Sequence, residues 1–152
     1  MPSKDIKKFK FVWGLLCTMS SVDLESNNIS LFNVVDQFNI PAKLFNTKDL
    51  KNINYNHEIV TTWRRILDLS VSEDKINTDI KILIRDPEDK IITETVAPFV
   101  FPESKKSLRF RIQLPIINFN IPGSYIIEVA IKHENSSDFT IEGQIPFEIV
   151  KL

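Results

Sequence analysis

The chain has 152 residues, which is enough for one domain with a sizeable core. Its 19 basic and 20 acidic residues give a formal net charge of −1, and 43% of the residues are hydrophobic. This balance is typical of globular proteins and excludes the strongly basic surface with which proteins bind nucleic acid or anionic membranes.

The N-terminal segment resembles a secretion signal only superficially. Four lysines between residues 4 and 10 precede an apolar run that ends at Cys17. The run is short for a signal peptide, and the bulky Leu16 stands where processing requires a small residue. We therefore expect a partly frayed basic arm at residues 1–8, then a core strand, and no membrane-spanning segment. Because Cys17 is the only cysteine, no intramolecular disulfide forms, and we expect a cytoplasmic protein.

Strand patterns dominate the remainder of the chain, and turn residues separate them. Their number, about eight, and their spacing are typical of a β-sandwich or barrel. The predicted strands span residues 9–19, 29–37, 59–71, 80–85, 90–100, 108–114, 125–132 and 140–150.

The least regular segment is 39–56, between the second and third predicted strands. It is rich in Asn and Lys, carries Pro41 near its start and shows no sustained period. We expect a long loop with at most a single helical turn. Long irregular loops inside compact domains are usually functional or disordered.

Two turns have clear chemistry. The sequence Asp-Pro-Glu-Asp at 86–89 matches a type I turn. In the second turn Pro122 presets φ and Gly123 supplies the positive φ of a type II turn. Tyr125 then takes the position of a corner tyrosine, with a buried ring and a hydroxyl bonded to backbone near 118–122 or in a neighbouring loop. These features predict an all-β fold, an antiparallel two-sheet immunoglobulin-like sandwich.

Several segments resemble landmarks of a family of small uncharacterised prokaryotic proteins. They are Leu-Leu-Cys at 15–17, Leu-Phe-Asn-Val-Val-Asp at 31–36, the turn at 86–89 and Phe-Asn-Ile-Pro-Gly-Ser-Tyr at 119–125. The family is a domain of unknown function, and its members are single immunoglobulin-like β-sandwiches without established catalytic residues. The resemblance implies one such domain over 9–152, with a longer segment at 39–56, and it implies nothing about function.

The sequence contains no motif for catalysis, cofactor binding or metal binding. The only histidines, His57 and His133, lack the spacing of a zinc site, and we expect both to be solvated. Cys17 has no histidine or aspartate placed by the sequence to activate its thiol, so we expect it in the core. Glycine-rich phosphate loops and the G-x-S-x-G motif are absent from the sequence. We therefore assign no catalytic residue, no metal ligand and no cofactor.

Trp63 and Arg65 form the first candidate binding feature. They are the residue types that interface hot spots favour, and strand geometry places them on one face. The alternative is that Trp63 fills the core while the arginines pair with carboxylates of neighbouring strands.

Arg109 and Arg111 form the second feature, because they share one exposed strand face. They would recognise an anionic partner. The alternative is cross-strand pairing with an acid such as Glu94 or Glu128.

The leading hypothesis is a non-enzymatic module that binds a protein partner. Its binding residues would be Phe45, Leu50 and Tyr55 in the long loop, with Trp63 and Arg65 on the next strand. One alternative is a small-ligand or carbohydrate-binding sandwich that uses Tyr55 and Trp63 as a ring platform, and another is a hydrolase with an unrecognised site. An exposed edge strand would also allow a homodimer.

Overall fold

A computed structural model describes residues 7–45, 56–66, 74–114, 119 and 121–152. Within these ranges the chain forms nine strands and one four-residue helix, because alternating apolar residues give most segments one face that must be buried. The elements are β1 (Phe9–Val22), β2 (Ile29–Val34), β3 (Gln37–Ile40), α1 (Ala42–Phe45), β4 (His57–Arg65), β5 (Ile76–Arg85), β6 (Ile91–Phe101), β7 (Ser107–Leu114), β8 (Gly123–Lys132) and β9 (Phe139–Lys151).

The strands form a two-sheet β-sandwich, which confirms the predicted architecture. One sheet has the order β2-β1-β4-β7, and the other has the order β3-β9-β8-β5-β6. Every pairing between the described strands is antiparallel except that of β3 with β9. No helix in the described ranges is long and apolar enough to cross a membrane.

Strand β3 corrects the sequence interpretation of the segment 39–56. Asn39 and Ile40 pair in parallel with Val150 and Lys151 of β9, so the predicted loop begins later than expected. The pattern was missed because β3 offers only two buried residues, Phe38 and Ile40, which is too short an alternation to recognise. Helix α1 supplies the single helical turn, and residues 46–55 lie outside the described part.

The core between the sheets is built largely from aromatic rings. The ring of Trp63 packs edge-on against Phe9 and Phe99, with centroid separations of 5.8 and 5.2 Å. On one side β1 approaches β9 so closely that a Cβ at Gly143 would lie 2.5 Å from Cζ of Phe11. These contacts clamp the two sheets together and fix the inner face of β1.

The predicted turn at 86–89 is present, and it packs against Gly123, which has the predicted positive φ. The amide of Asp89 donates to the carbonyl of Asp86 at 2.9 Å, as a type I turn requires. Gly123 has a φ of +133°, and a Cβ there would lie 2.8 Å from Cγ of Pro87. Tyr125 is fully buried and donates its hydroxyl to the carbonyl of Ile121 at 2.7 Å, which confirms the corner tyrosine.

The four-stranded sheet curls strongly along β1. Strands β2 and β7 are its two edges, yet the carbonyl of Asn27, beside β2, accepts a hydrogen bond from Arg109 of β7. The hairpin of β1 and β2 therefore folds back over the face of the sheet that points away from the core. This curl makes the outer face concave.

Candidate functional site

The concave outer face holds a groove of about 510 Å³, which we call the outer-face groove. The described residues that line it are Trp13, Val22, Asn27, Asn28, Ile29, Thr62, Pro102, Lys105, Ser107, Leu108, Arg109 and Arg111. Concave sites with a few convergent polar groups are where proteins usually bind small ligands.

Three neighbouring strands contribute one row of side chains to this groove. Trp13 of β1 is the register partner of Thr62 on β4, and Thr62 is the register partner of Arg109 on β7. Directly opposed residues have their Cβ atoms about 5 Å apart. The row therefore places an indole, a hydroxyl and a guanidinium next to one another on a rigid sheet.

Arg109 is held in place but only partly satisfied. One terminal nitrogen, Nη2, donates to the carbonyl of Asn27. The other, Nη1, is buried and has no hydrogen-bond partner within the described ranges. The hydroxyl of Thr62 is likewise buried without a partner there. Buried polar groups are nearly always hydrogen-bonded, so these two atoms call for an acceptor that this part of the chain does not supply.

Trp13 gives the groove its aromatic wall. The indole is half-buried, and a register shift between Phe11 and Trp13 turns these two aromatic residues to opposite faces. Phe11 packs against Trp63 in the core at a centroid separation of 5.4 Å, whereas Trp13 lines the groove. Sequence reasoning assigned Trp13 to a core strand because nothing at Val12 signals a bulge.

Arg111 lies one residue pair further along and is tied to its surroundings through Ser20. Its Nη1 donates to the Ser20 hydroxyl at 3.3 Å, and that hydroxyl donates to Glu58 at 2.6 Å. Arg111 therefore faces a carboxylate across one hydroxyl. Arg109 has no such neighbour among the described residues.

The predicted pairing of these arginines with Glu94 or Glu128 is wrong. Both carboxylates lie in the other sheet, where Glu94 pairs with Lys81 at 3.4 Å and Glu128 with Arg85 at 3.1 Å. Strand alternation indicates which residues share a face, but it does not reveal which strand lies alongside.

The predicted partner-binding residues on β4 face the interior. Trp63 is fully buried and donates its indole N–H to the Thr61 hydroxyl at 2.8 Å, which confirms the core alternative for this residue. Arg65 donates to the carbonyls of Lys105, Asp74 and Pro102, each at 2.9 Å, so it binds backbone instead of a carboxylate. These contacts leave Trp63 no surface for a partner or for a ring platform.

The loop candidates contribute little to the described site. Phe45 packs against the core, and the ammonium of Lys151 lies 5.9 Å from the centre of its ring. Leu50 and Tyr55 lie outside the described residues. Of the expected cluster, the described residues Phe45, Trp63 and Arg65 do not line the groove.

Both histidines are buried, so the prediction that they are solvated is wrong. His57 and His133 expose 9% and 7% of their surface. The Nε2 atom of His133 lies 2.7 Å from a carboxylate oxygen of Glu142, and its ring packs on Phe9. Strand ends that looked exposed in the sequence are covered by the opposite sheet.

Cys17 lies in the core as predicted, with no exposed surface. Burial raises the pKa of its thiol, and the nearby charge of Glu58 raises the pKa further. Both effects keep the thiol protonated at neutral pH. No group of three metal-ligating side chains occurs in the parts of the chain that the structure describes.

A second cleft, of about 360 Å³, opens where β1 starts and β8 ends; we call it the end cleft. Its lining includes Lys8, Lys75 and Lys132, but it also includes Asp79 and Glu134. Lys8 forms an ion pair with Glu134. The end cleft therefore holds both signs of charge.

Comparisons with known proteins support the fold. No family model and no curated protein matches the chain. Among solved structures, the C-terminal domain of wzt is 12% identical with a TM-score of 0.58, over 100% of this chain and 81% of that one. A family 123 glycoside hydrolase from Clostridium perfringens is 13% identical with a TM-score of 0.39, over 80% and 24%. The N-terminal domain of PorA is 14% identical with a TM-score of 0.33, over 90% and 97%. The likeness to the wzt domain supports a β-sandwich fold.

Proposed function

We propose that the chain is a non-enzymatic module that binds a carbohydrate in the outer-face groove. The observation that carries this proposal is the row of Trp13, Thr62 and Arg109, which sets an aromatic wall beside hydrogen-bond donors that have no partner among the described residues. Sugars present apolar C–H faces that pack on indole rings and hydroxyls that pair with such donors.

The shape of the site favours an extended ligand. The groove is open to solvent along a curled sheet, and strands instead of loops supply its central residues. Side chains on paired strands are held more firmly than side chains on loops, so the ligand meets a preformed surface. Such a surface suits a segment of a polysaccharide chain.

The test is a binding screen on an array of neutral and acidic glycans, followed by calorimetry on the hits. Trp13→Ala is expected to abolish binding of the hits because it removes the aromatic wall. The matched control is Val96→Ala, since Val96 is exposed on β6 of the other sheet. Mass spectrometry should recover the bound glycan intact. Hits that bind Trp13→Ala as well as the wild type would remove the groove as the site, and a cleaved glycan would remove the non-enzymatic assignment.

Strand β2 favours a second candidate function, the binding of a protein partner. It is an edge strand of its sheet, and Met19, Phe32 and Val34 around it are 45–54% exposed. Met19 and Phe32 are register partners, so their side chains form one apolar surface. Phe32→Lys should abolish capture of a specific host protein or dissociate a homodimer in sedimentation. Unchanged partners and an unchanged sedimentation coefficient would contradict this candidate.

A further inference from the structure

The outer-face groove carries positive charge that no described lining carboxylate balances, and the Glu58 carboxylate lies beyond the Ser20 hydroxyl next to Arg111. Lys105, Arg109 and Arg111 line it, and no aspartate or glutamate is among its described lining residues. The ion pairs of the described chain involve other cations, at Lys7, Lys8, Lys81, Arg85, Lys90 and His133. No ion pair of the described chain therefore involves a cation of the groove.

Arg109 is the groove cation whose guanidinium is held in a fixed orientation. The carbonyl of Asn27 fixes one side of its guanidinium, and Nη1 on the other side is buried without an acceptor from the described part of the chain. Thr62, its register partner, offers a buried hydroxyl that can donate a second hydrogen bond. A water molecule would satisfy the hydrogen bonds, but it would not balance the charge of a half-buried guanidinium.

Building on the proposed function, we propose that the carbohydrate carries an anionic oxygen group, which Arg109 and Thr62 bind together. A carboxylate, sulfate or phosphate accepts several hydrogen bonds and matches the flat guanidinium. Trp13 packs on the adjoining sugar ring, and Arg111 and Lys105 attract the acidic chain along the groove. An acidic polysaccharide is therefore the ligand class that this surface fits.

The end cleft shows why three cations alone do not make such a site. It also has three lysines in its lining, but Asp79 and Glu134 share it, and Lys8 is already paired with Glu134. An anion entering that cleft would have to displace these carboxylates. At Arg109 nothing in the described chain has to be displaced.

The experiment is an NMR titration of the labelled full chain with two oligosaccharides of equal length, an oligoglucuronate and its neutral glucose counterpart. We expect the oligoglucuronate to shift the indole N–H of Trp13 and the Nε–H of Arg109. Arg109→Gln should weaken its binding by about tenfold or more, because a charge-assisted pair is lost. Arg109→Lys keeps the positive charge but loses the planar guanidinium. Its affinity should therefore lie between that of Arg109→Gln and that of the wild type.

Arg64→Gln is the matched control, since Arg64 is an exposed arginine on the same strand as Thr62 and lies outside the groove lining. It makes the same change in net charge and should alter the affinity by less than about twofold. Sodium sulfate and sodium phosphate form a further arm. A shift of the Trp13 indole N–H by these salts, lost in Arg109→Gln, would assign recognition to the anionic group itself.

The outcomes separate the two proposals. Equal binding of the neutral and acidic oligosaccharides, unaffected by Arg109→Gln, would overturn the acidic ligand and leave carbohydrate binding in place. If Arg64→Gln lowered the affinity for the oligoglucuronate as much as Arg109→Gln, the loss would be explained by the change in net charge alone. That result would overturn the binding site at Arg109. If no saccharide on the array bound and no oligosaccharide in the titration shifted a groove resonance, both proposals would be overturned.

Discussion

The two faces of the four-stranded sheet use the same residue types in opposite ways. On the inner face Trp63 donates to Thr61, Thr61 donates to the carbonyl of Phe110, and Arg65 donates to three carbonyls. On the outer face Trp13, Thr62 and Arg109 sit side by side, but Thr62 and one nitrogen of Arg109 have no partner in the described chain. The hydrogen bonds of Trp63, Thr61 and Arg65 on the inner face therefore stabilise the fold.

This difference indicates where function resides. A tryptophan, a threonine and an arginine that satisfy one another or the backbone contribute to stability and have nothing left to offer a ligand. The same side chains left incomplete in a concave surface cost stability unless something else completes them. Changing matched residues on the two faces should therefore move stability on the inner face and binding on the outer face.

The largest expected effect comes from the tryptophan pair. Trp63→Ala should lower the free energy of unfolding by about 3–5 kcal/mol, because it empties the centre of the aromatic core. Trp13→Ala should cost at most about 1–2 kcal/mol, since the indole is only half-buried. Urea denaturation followed by far-UV circular dichroism measures both. Equal losses would contradict the division between the two faces.

The two threonine substitutions should change the free energy of unfolding in different directions and by different amounts. Thr61→Val removes the acceptor of the Trp63 indole N–H and should cost about 1–3 kcal/mol. Thr62→Val replaces a buried hydroxyl that has no partner in the described chain, so it should leave stability unchanged or raise it slightly. The same variant should weaken binding of an acidic glycan in calorimetry. A destabilising Thr62→Val would reveal a structural partner for this hydroxyl.

The two arginine substitutions should differ less in their effect on the free energy of unfolding. Arg65→Gln leaves three carbonyls without their donor and removes a guanidinium that lies 4.8 Å from the ring centre of Phe101. We expect a loss of about 1–2 kcal/mol in thermal or urea unfolding. Arg109→Gln should be close to neutral, because it removes a charge that has no ion pair in the described chain. If Arg109→Gln destabilised the fold more than Arg65→Gln, Arg109 would be a structural residue.

The smallest expected effect is a pH dependence at the tip of the β1–β2 hairpin. Hydrogen bonds from the backbone and hydroxyl of Ser26 lower the pKa of Asp23 from its ordinary value of 3.8, and the backbone of Glu25 adds to this. A lowered pKa in the fold means that the stabilisation is present above 3.8 and is lost as the pH falls through the lower value.

The hairpin tip also presents the Asn27 carbonyl that holds Arg109. Acidification below 3.8 should therefore loosen the tip and lower the protection factor of the Ser26 amide against exchange. Asp23→Asn should lose this pH dependence. A tip whose exchange in the wild type follows the same profile as in the variant would show that Asp23 does not organise it.

The sequence predicts the folding devices well because they are local. The turn at 86–89, the positive φ of Gly123 after Pro122 and the Tyr125 hydroxyl bond each involve residues within a few positions of one another. Alternation along the chain then indicates which residues face the core. These signals suffice for a two-sheet sandwich.

The candidate site could not be predicted because it depends on long-range geometry. The bulge at Val12 reverses the facing of Trp13, and no residue type marks it. That Nη1 of Arg109 has no partner in the described chain, while Nη2 is bound by Asn27, follows from which strand lies beside β7 and from the curl that brings Asn27 across the sheet. Arg109 and Arg111 could be identified as an exposed pair, but their neighbours required the fold.

The most direct test of the contrast between the two faces is tryptophan quenching in single-tryptophan variants. The chain has two tryptophans, so Trp63→Phe leaves only Trp13 and Trp13→Phe leaves only Trp63. The ratio of iodide to caesium quenching constants should be higher for Trp13 than for free N-acetyltryptophanamide at equal ionic strength, because the groove attracts anions. Neither ion should quench Trp63, which has no exposed surface. A ratio for Trp13 no higher than that of the free compound, or quenching of Trp63 to the same extent as Trp13, would contradict the account.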